Sequence, residues 1–202
     1  MTLRLRPFQP ADLDGIADVC VRTGAAGEDA RGLYSDDSIL GDVYATPYAV
    51  FDPDLAFVVT DGHRVQGYVL AVADTARFAE WFRAEWMPLF DARHGVDVDR
   101  GWSPDEVSLR EEAHHPERML IAELDEYPAH LHIDLLPEAQ GHGLGRRLID
   151  LERAALRGRG VSAVHLGLDP ANTRARTFYE HLGFHELASS TPDEPLFGIA
   201  TS

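Results

Sequence analysis

The segment HLHIDLLPEAQGHGLGRRLIDLERAAL, residues 130–156, decides the fold. Apolar and polar residues alternate over 130–136, which predicts a β-strand, and apolar residues at helical spacing predict a helix over 146–157. The glycine-rich hexapeptide 140–145 lies between the two elements. A strand that leads through a short glycine turn into a helix predicts an α/β arrangement for this part of the chain.

The hexapeptide has the properties of a diphosphate-binding turn. Glycine allows a sharp turn and a close approach of the ligand, while the free amides and the dipole at a helix start attract anions. The arginines that follow add charge-assisted donors. The sequence therefore predicts a cofactor-binding set consisting of Gln140, Gly141, His142, Gly143, Leu144, Gly145, Arg146 and Arg147.

Two other phosphate-binding motifs do not fit these glycines. A nucleoside-triphosphate loop requires a lysine, and the chain contains none. A dinucleotide fingerprint requires a third glycine where Leu148 stands. A purely structural turn remains an alternative, although it leaves the adjacent arginines unexplained.

Charge is unevenly distributed along the chain. The formal net charge is −16, which excludes a nucleic-acid-binding protein that needs a basic face and favours cationic or neutral partners. Residues 146–176 are the exception, since they carry seven arginines against three carboxylates. This basic island is either a solvated helix face or the receptor of a polyanionic cofactor.

The remaining elements follow from periodicity and turn residues. A strand over 3–6 precedes a helix that ends at Gly24, a long loop with at most one short helix reaches Pro53, and a hairpin over 55–60 and 65–73 turns at Asp61-Gly62. A strand over 161–168, a helix over 172–182 stopped by Gly183, and two short strands complete the chain.

Residues 75–128 interrupt this pattern with helices. An aromatic helix (Phe78, Trp81, Phe82, Trp86) is assigned to core packing, a polar turn is expected over 95–101, and a capping box at 103–106 begins a second helix. We therefore expect a single α/β (α+β) domain over 1–202, with a central mixed sheet flanked by helices and a helical insertion over 75–128 before the strand at 130–136.

The chain has one cysteine, Cys20, so it cannot form an intramolecular disulfide, and the residue is expected to be a small buried hydrophobe. Neither a signal peptide nor an apolar run of membrane-spanning length is present. These features predict a soluble, cytoplasmic protein without a membrane partner.

Two motifs carry a family resemblance. Gln140-x-x-Gly143-x-Gly145 after a strand resembles the coenzyme A pyrophosphate motif of the GNAT acetyltransferases, and the segment 172–184 resembles the family's Asn and Phe-Tyr-x-x-x-Gly-Phe signature. The resemblance implies the GNAT fold, acetyl-coenzyme A (acetyl-CoA) as cofactor, and acetyl transfer to an amine of a small molecule, a lysine or an N-terminus.

A narrower resemblance spans most of the chain. Thr23-Gly24, Leu40-Gly41-Asp42, Pro47-Tyr48, Gly67-Tyr68 and residues 128–134 are similar to the acetyltransferase-like C-terminal domain of eukaryotic O-GlcNAcase. Because the vertebrate form of that domain departs from the pyrophosphate motif, this resemblance keeps a non-catalytic acyl-CoA sensor or interaction module as the alternative. The motif is intact here, which favours cofactor binding.

The GNAT resemblance also implies individual roles. Backbone groups of Leu135 and Leu136 would bind the pantetheine arm, with one amide polarising the thioester carbonyl; Asn172 would cap its helix and contact the cofactor; and Tyr179 would protonate the departing thiolate. Asp134 is the candidate general base, with a structural capping or pairing role as the alternative.

Other polar residues give weaker signals. His130 and His132 share the polar face of the strand with Asp134, and we expect them at the surface or supporting the site, because two histidines without a third ligand do not indicate a metal. No metal is predicted. Weak candidates for acceptor contacts are Tyr34, Tyr48, Trp102 and Asp169.

Overall fold

A seven-stranded sheet forms the centre of the protein, and β4 is its middle strand. The computed structural model describes residues 2–96 and 101–202. The strands follow the spatial order β1-β2-β3-β4-β5-β7-β6, and only β4 and β5 pair in parallel. Their bounds are β1 Arg4–Pro7, β2 Ala56–Thr60, β3 Val65–Val72, β4 Ala129–Leu135, β5 Ala163–Gly167, β6 His185–Glu186 and β7 Leu196–Ala200. The predicted mixed sheet is confirmed.

Helices cover both faces of this sheet. They are α1 Leu13–Thr23, α2 Ser38–Tyr44, α3 Thr46–Phe51, α4 Thr75–Trp81, α5 Met87–His94, α6 Pro104–His114, α7 Leu144–Gly158 and α8 Thr173–Leu182. A π-helical turn, Phe82–Trp86, joins α4 to α5, and short 3₁₀ turns occupy Pro10–Asp12, Pro53–Leu55, Pro116–Met119 and Pro137–Ala139.

Side chains alternate between the two faces of the sheet along β3 and β4, so each face packs against a different set of helices. Tyr68, Leu70 and Val72 pack into the core formed with α1 to α6. The intervening Val69 and Ala71 contribute to the cores on the opposite face, where α7 packs. Because residues directly opposite in the ladder share a face, Asp134, which pairs with Tyr68, also points to the α1 side.

The segment 24–53 differs from its predicted loop, because it contains two short helices, α2 and α3. Residues buried at helical spacing, among them Ile39, Leu40 and Val43, pack α2 onto α1, and Tyr48 extends this core from α3. Tertiary burial therefore stabilises helices that the polar and glycine-rich sequence around them does not indicate. Smaller differences concern bounds, since α7 begins at Leu144 rather than Arg146 and β5 is shorter than 161–168.

The insertion is helical as predicted, and its aromatic stripe is confirmed as core, with Phe78, Phe82 and Trp86 buried. The capping box is only half formed. Ser103 accepts a hydrogen bond from the amide of Glu106, but the Glu106 carboxylate bonds Ser35 and Arg110 instead of the amide of Ser103. The polar turn expected over 95–101 lies largely outside the described residues.

Within residues 2–96 and 101–202, no helix is both long and apolar enough to cross a membrane.

Candidate active site

A cleft opens where the two parallel strands separate. Pairing between β4 and β5 is limited to Ala129 with Val164 and His130 with His165, so the second half of β4 lies beyond the last pair. A cleft of about 480 Å³ occupies this gap and is lined by Ile133, Asp134 and Leu135 of β4 together with the start of α7 and with α8. A linear ligand could therefore lie alongside β4 in the place of a strand.

The backbone of β4 presents polar groups to this gap. The Leu136 amide donates to the Gln66 carbonyl over 2.9 Å, which continues the antiparallel pairing with β3. Because successive residues of a strand direct their amides to opposite sides, the amides of Ile133 and Leu135 point toward the cleft. The Leu135 carbonyl, on the same side, accepts from Gln140 Nε2 at 2.8 Å.

The glycine turn shapes the far end of the cleft. Gly141 and Gly143 have φ values of +76° and +70°, a left-handed conformation in which a side chain is strained. Gly143 is the N-cap of α7, so the free amides of the first turn face the cleft. Gly145 lets α7 approach α8, since a Cβ at this position would lie 2.9 Å from Phe178 Cζ.

A polar bridge links the two walls of the cleft. Gln140 accepts from Arg174 Nη2 through its side-chain oxygen at 2.6 Å while its amide nitrogen holds the Leu135 carbonyl. Arg174 thus stands at the cleft with a neutral partner, and Arg146 lines the cleft on the α7 side. Cationic donors from both helices are available to an anionic ligand.

Most of the predicted site residues meet in this cleft. Those that line it are Asp134, Leu135, Gln140, Gly141, Gly143, Leu144, Gly145, Arg146, Asn172 and Tyr179. His142 and Arg147 are exposed and lie outside the lining. Asn172 caps α8 by accepting from the Ala175 amide at 3.0 Å, as the sequence indicates.

The backbone of Leu136 is not available to a ligand. The residue is 1% exposed, its amide bonds Gln66, and its carbonyl accepts from the Ala139 amide at 2.8 Å. The expectation that Leu136 pairs with a cofactor is therefore wrong, because both of its backbone groups are already hydrogen-bonded within the protein. Of the two residues, only Leu135 remains a candidate for that role.

Asp134 lies at the junction of the cleft and the covered face of the sheet. Tyr68 Oη donates to its Oδ2 at 2.6 Å. Burial raises the pKa of Asp134 to about 6, and the hydrogen bond from Tyr68 opposes part of this rise. A carboxylate with a pKa near neutrality is suited to accept a proton from a substrate.

Tyr179 is buried in the cleft wall and exposes 8% of its surface. Burial raises its pKa above the ordinary value, and the negative charge of Asp134 acts in the same direction. The phenol therefore stays protonated at neutral pH and can donate a proton.

His130 is not the surface residue that the sequence allows, because it is buried, and both histidines belong to one hydrogen-bonded chain. Their Nε2 atoms each lie 3.0 Å from Tyr48 Oη. Thr75 donates its hydroxyl proton to the Pro128 carbonyl, so it must accept from His130 Nδ1, which leaves His130 Nε2 to accept from Tyr48. Burial lowers the pKa of both histidines, to about 3 for His132, and keeps them neutral.

The weak acceptor candidates do not line the cleft. Tyr48 is a core residue that is hydrogen-bonded to the two histidines. Trp102 stacks on the Arg110 guanidinium, whose Cζ lies 3.6 Å from the centre of the indole ring. Lining residues that sequence reasoning did not assign to the site are Thr23, Ala26, Gly27, Ile133, Ala139, Arg174, Ala175, Phe178, His181 and Leu182. Ala26 and Gly27 have positive φ values because the chain makes a tight turn after α1. The sequence predicts that the helix ends at Gly24, but not that the following turn lines the cleft.

In the described parts of the chain, no group of three or more histidine, cysteine or acidic side chains is arranged to hold a metal ion.

Comparisons with known proteins agree with this geometry. The family model described as "Acetyltransferase (GNAT) domain" matches residues 112–186. The protein in the crystal structure of SsHAT shares 45% sequence identity with this chain, the match covers 100% of both chains, and the TM-score is 0.92. The crystal structure of a GNAT superfamily phosphinothricin acetyltransferase from Sinorhizobium meliloti in complex with AcCoA is 15% identical, covers 99% of this chain and 89% of that one, and has a TM-score of 0.55, which shows likeness of fold.

A curated relative is much longer than the part it shares. Mycothiol acetyltransferase of Beutenbergia cavernae is 52% identical over 52 residues, which are 26% of this chain and 18% of that protein. The matched region thus spans less than a fifth of the relative's length.

Proposed function

The chain belongs to the GNAT acetyltransferase family, and on that premise we propose that it transfers the acetyl group of acetyl-CoA to a primary amine of a small molecule, a lysine or an N-terminus. The observation that carries this proposal is the gap between β4 and β5, which ends at the glycine turn of α7 and contains both Asp134 and Tyr179. A donor site and two proton-transfer groups thus share one cleft.

The donor set of the cleft fits acetyl-CoA. The amides at the start of α7, together with Arg146 and Arg174, suit the diphosphate. The Leu135 amide, directed into the gap, suits a carbonyl of the pantetheine arm or of the thioester. Bound by these residues, the thioester would lie in the part of the cleft that Asp134 and Tyr179 line.

Two side chains move protons in the proposed transfer. Asp134 takes one proton from the ammonium group of the acceptor, and the resulting neutral amine attacks the thioester carbon. As the carbon–sulfur bond breaks, Tyr179 donates its proton to the leaving sulfur and regains one from the nitrogen that becomes an amide. The Leu135 amide stabilises the developing oxyanion.

A charge placed in the glycine turn tests the donor site. We expect Gly143→Asp to abolish binding of acetyl-CoA in calorimetric titration, because a carboxylate at the N-cap of α7 repels the diphosphate. Gly160→Asp is the matched control, since Gly160 lies beyond the other end of the same helix, has a φ of +78° and has open space around it. The Gly160→Asp variant has the same added charge as Gly143→Asp, at a position with the same type of backbone conformation.

Micromolar binding by the wild type and by Gly160→Asp, lost in Gly143→Asp, supports the donor site and leads to a screen of acceptor amines. If the wild type does not bind acetyl-CoA, the proposal that the protein is an acetyltransferase would be contradicted, and a protein-interaction module would be the remaining hypothesis. Binding without turnover on any amine, unaffected by Asp134→Asn and Tyr179→Phe, would favour an acyl-CoA sensor.

Two finer interpretations accompany this proposal. We infer that residues 1–202 act as one domain, supported by a hydrophobic core that includes residues from α1 through α6 as well as the sheet. The resemblance to the C-terminal domain of eukaryotic O-GlcNAcase stays a sequence-based hypothesis, and the proposed chemistry does not depend on it.

A further inference from the structure

A tyrosine that lies outside the cleft lining contacts the proposed base. Tyr68 is 0% exposed in the core beneath α1, and its position opposite Asp134 is fixed by the register of β3 and β4. Its hydroxyl has one proton, which it donates to Asp134 Oδ2 over 2.6 Å. The hydrogen bond therefore reaches Asp134 from the buried core, since Tyr68 does not line the cleft.

Few other groups approach this carboxylate. Thr23 and Cys20 face it from α1 and Tyr179 from α8, while His132, two residues earlier on β4, is neutral and bonded to Tyr48. The Thr23 hydroxyl donates to the Val19 carbonyl at 2.9 Å. Among the described residues, no arginine or histidine forms an ion pair with Asp134, so Tyr68 is its principal fixed donor.

We propose that Tyr68 is a positioning residue for the transfer reaction, whose hydroxyl holds one oxygen of Asp134 so that the other oxygen can receive the proton of the acceptor amine. This inference rests on the proposed function, in which Asp134 is the base. A carboxylate held by one oxygen has a restricted rotation about its Cα–Cβ and Cβ–Cγ bonds, which keeps the second oxygen in one place.

The same hydrogen bond adjusts how readily Asp134 ionises. Burial favours the protonated carboxyl, whereas a hydroxyl that donates to the carboxylate favours the ionised form. Removing the Tyr68 hydroxyl should therefore raise the pKa of Asp134 and leave a larger fraction protonated near neutral pH. A role limited to core packing would not move this ionisation.

The primary test measures the carboxyl of Asp134 directly and needs no acceptor. Carbon-13 NMR of aspartate-labelled protein, with Asp134→Asn to assign the signal, should give a titration midpoint near 6 in the wild type. In Tyr68→Phe we expect the midpoint to rise by about one pH unit or more, the effect of losing a hydrogen bond to a charged group. Tyr127→Phe removes another buried hydroxyl, which pairs with His185, and should leave the midpoint unchanged.

A second variant keeps the test valid should Tyr68→Phe fail to fold. Site-specific 3-fluorotyrosine at position 68 retains the ring and the hydroxyl but makes the phenol a stronger donor. The Asp134 midpoint should then move to lower pH, opposite to the effect of Tyr68→Phe. An unchanged midpoint in both variants would overturn the proposal.

Kinetics separate this inference from the proposed function. With spermidine or Nα-acetyl-lysine methyl ester as acceptor, the acid limb of kcat/KM should follow the NMR midpoint of each variant. Rates of Tyr68→Phe should fall about tenfold below wild type on that limb. At high pH, where Asp134 is ionised in both proteins, they should stay below wild type, because the carboxylate is no longer held in one orientation. A midpoint that moves while the acid limb stays fixed would overturn the positioning role; absence of wild-type turnover with every amine would contradict the proposed function, while the NMR shifts still decide whether Tyr68 controls Asp134.

Discussion

Tyr179 and Tyr48 are both largely buried, yet their hydroxyl groups have different surroundings. Tyr48 is bonded to two histidines inside the core, whereas Tyr179 lines the cleft. We expect Tyr179→Phe to lower kcat by about 10²-fold through loss of a proton donor, with the Kd for acetyl-CoA little changed. Rapid-quench kinetics and calorimetry measure the two quantities, and an equal loss in both would instead indicate a role in binding.

Glu152 is a buried acidic residue. It is 0% exposed, and neither carboxyl oxygen has a hydrogen-bond partner within the described structure. Burial raises its pKa well above the ordinary value, so it stays protonated in the folded state at a pH where the unfolded chain ionises it. Folding therefore becomes less favourable as pH rises above the unfolded pKa of about 4.3.

Replacing this side chain should stabilise the protein. Glu152→Met should raise the free energy of unfolding by about 1–3 kcal/mol at pH 8 and by less at pH 5, as measured by urea denaturation. Asp150→Asn, an exposed position on the same helix, should show no such pH-dependent gain. A loss of stability in Glu152→Met at pH 8 would mean that the carboxyl has a stabilising partner.

At the residue level, the predicted set was most accurate where a motif fixes the backbone. Asn172 is the N-cap of α8, as the sequence predicts, whereas Gly143 is the N-cap of α7, which begins two residues earlier than predicted. The hydrogen bonds of Leu136 and of the two histidines do not follow from the sequence, because their partners Gln66 and Tyr48 lie far away along the chain. Spacing along a chain carries no information about such partners.

The contact between α7 and α8 is an element-scale feature with a testable consequence. A Cβ on Gly145 would lie 2.9 Å from Phe178, so Gly145→Ala should push the two helices apart and weaken acetyl-CoA binding about tenfold or more, as overpacking costs about 1–3 kcal/mol. Phe178→Leu should relieve part of this clash. We expect the double variant to lose less binding free energy for acetyl-CoA than the sum of the losses in the two single variants. A loss equal to that sum would contradict a direct contact.

Elements defined by local pattern were predicted better than elements stabilised by tertiary contacts. The β2–β3 hairpin and the helix after the glycine turn follow from alternation and helical spacing. By contrast, α2 and α3 are short helices that owe their stability to packing against α1 and β3. Similarly, the partner of Glu106 is Ser35, 71 residues away, so half of the capping box could not be foreseen.

On the scale of the whole molecule, the sheet order and the gap between β4 and β5 could not be predicted from residue patterns. Both depend on pairing between strands that are distant in sequence, whereas the β2–β3 and β6–β7 pairs are local. The basic segment 146–176 is nevertheless where the sequence placed it, since Arg146 and Arg174 both line the cleft. Local charge therefore indicated the ligand, while the fold determined where the ligand can lie.

The insertion should unfold together with the rest of the protein, because buried polar contacts join it to α2 and to the segment before α2. Asp42 of α2 accepts from Trp86 through its carbonyl at 2.8 Å and from His94 through its carboxylate at 2.8 Å, and Ser35 bonds Glu106 of α6. All three tryptophans, at positions 81, 86 and 102, lie in the insertion, so intrinsic fluorescence reports this part of the chain.

We expect the fluorescence transition in urea to coincide with loss of amide protection in β3 and β4, measured by pulsed hydrogen exchange, since coincident transitions indicate one cooperative unit. Trp102→Phe is the control, because the remaining signal then comes from Trp81 and Trp86, which pack in the core formed with α1 to α6. Fluorescence lost at lower urea than sheet protection would show that the insertion unfolds separately, and the single-domain interpretation would be wrong.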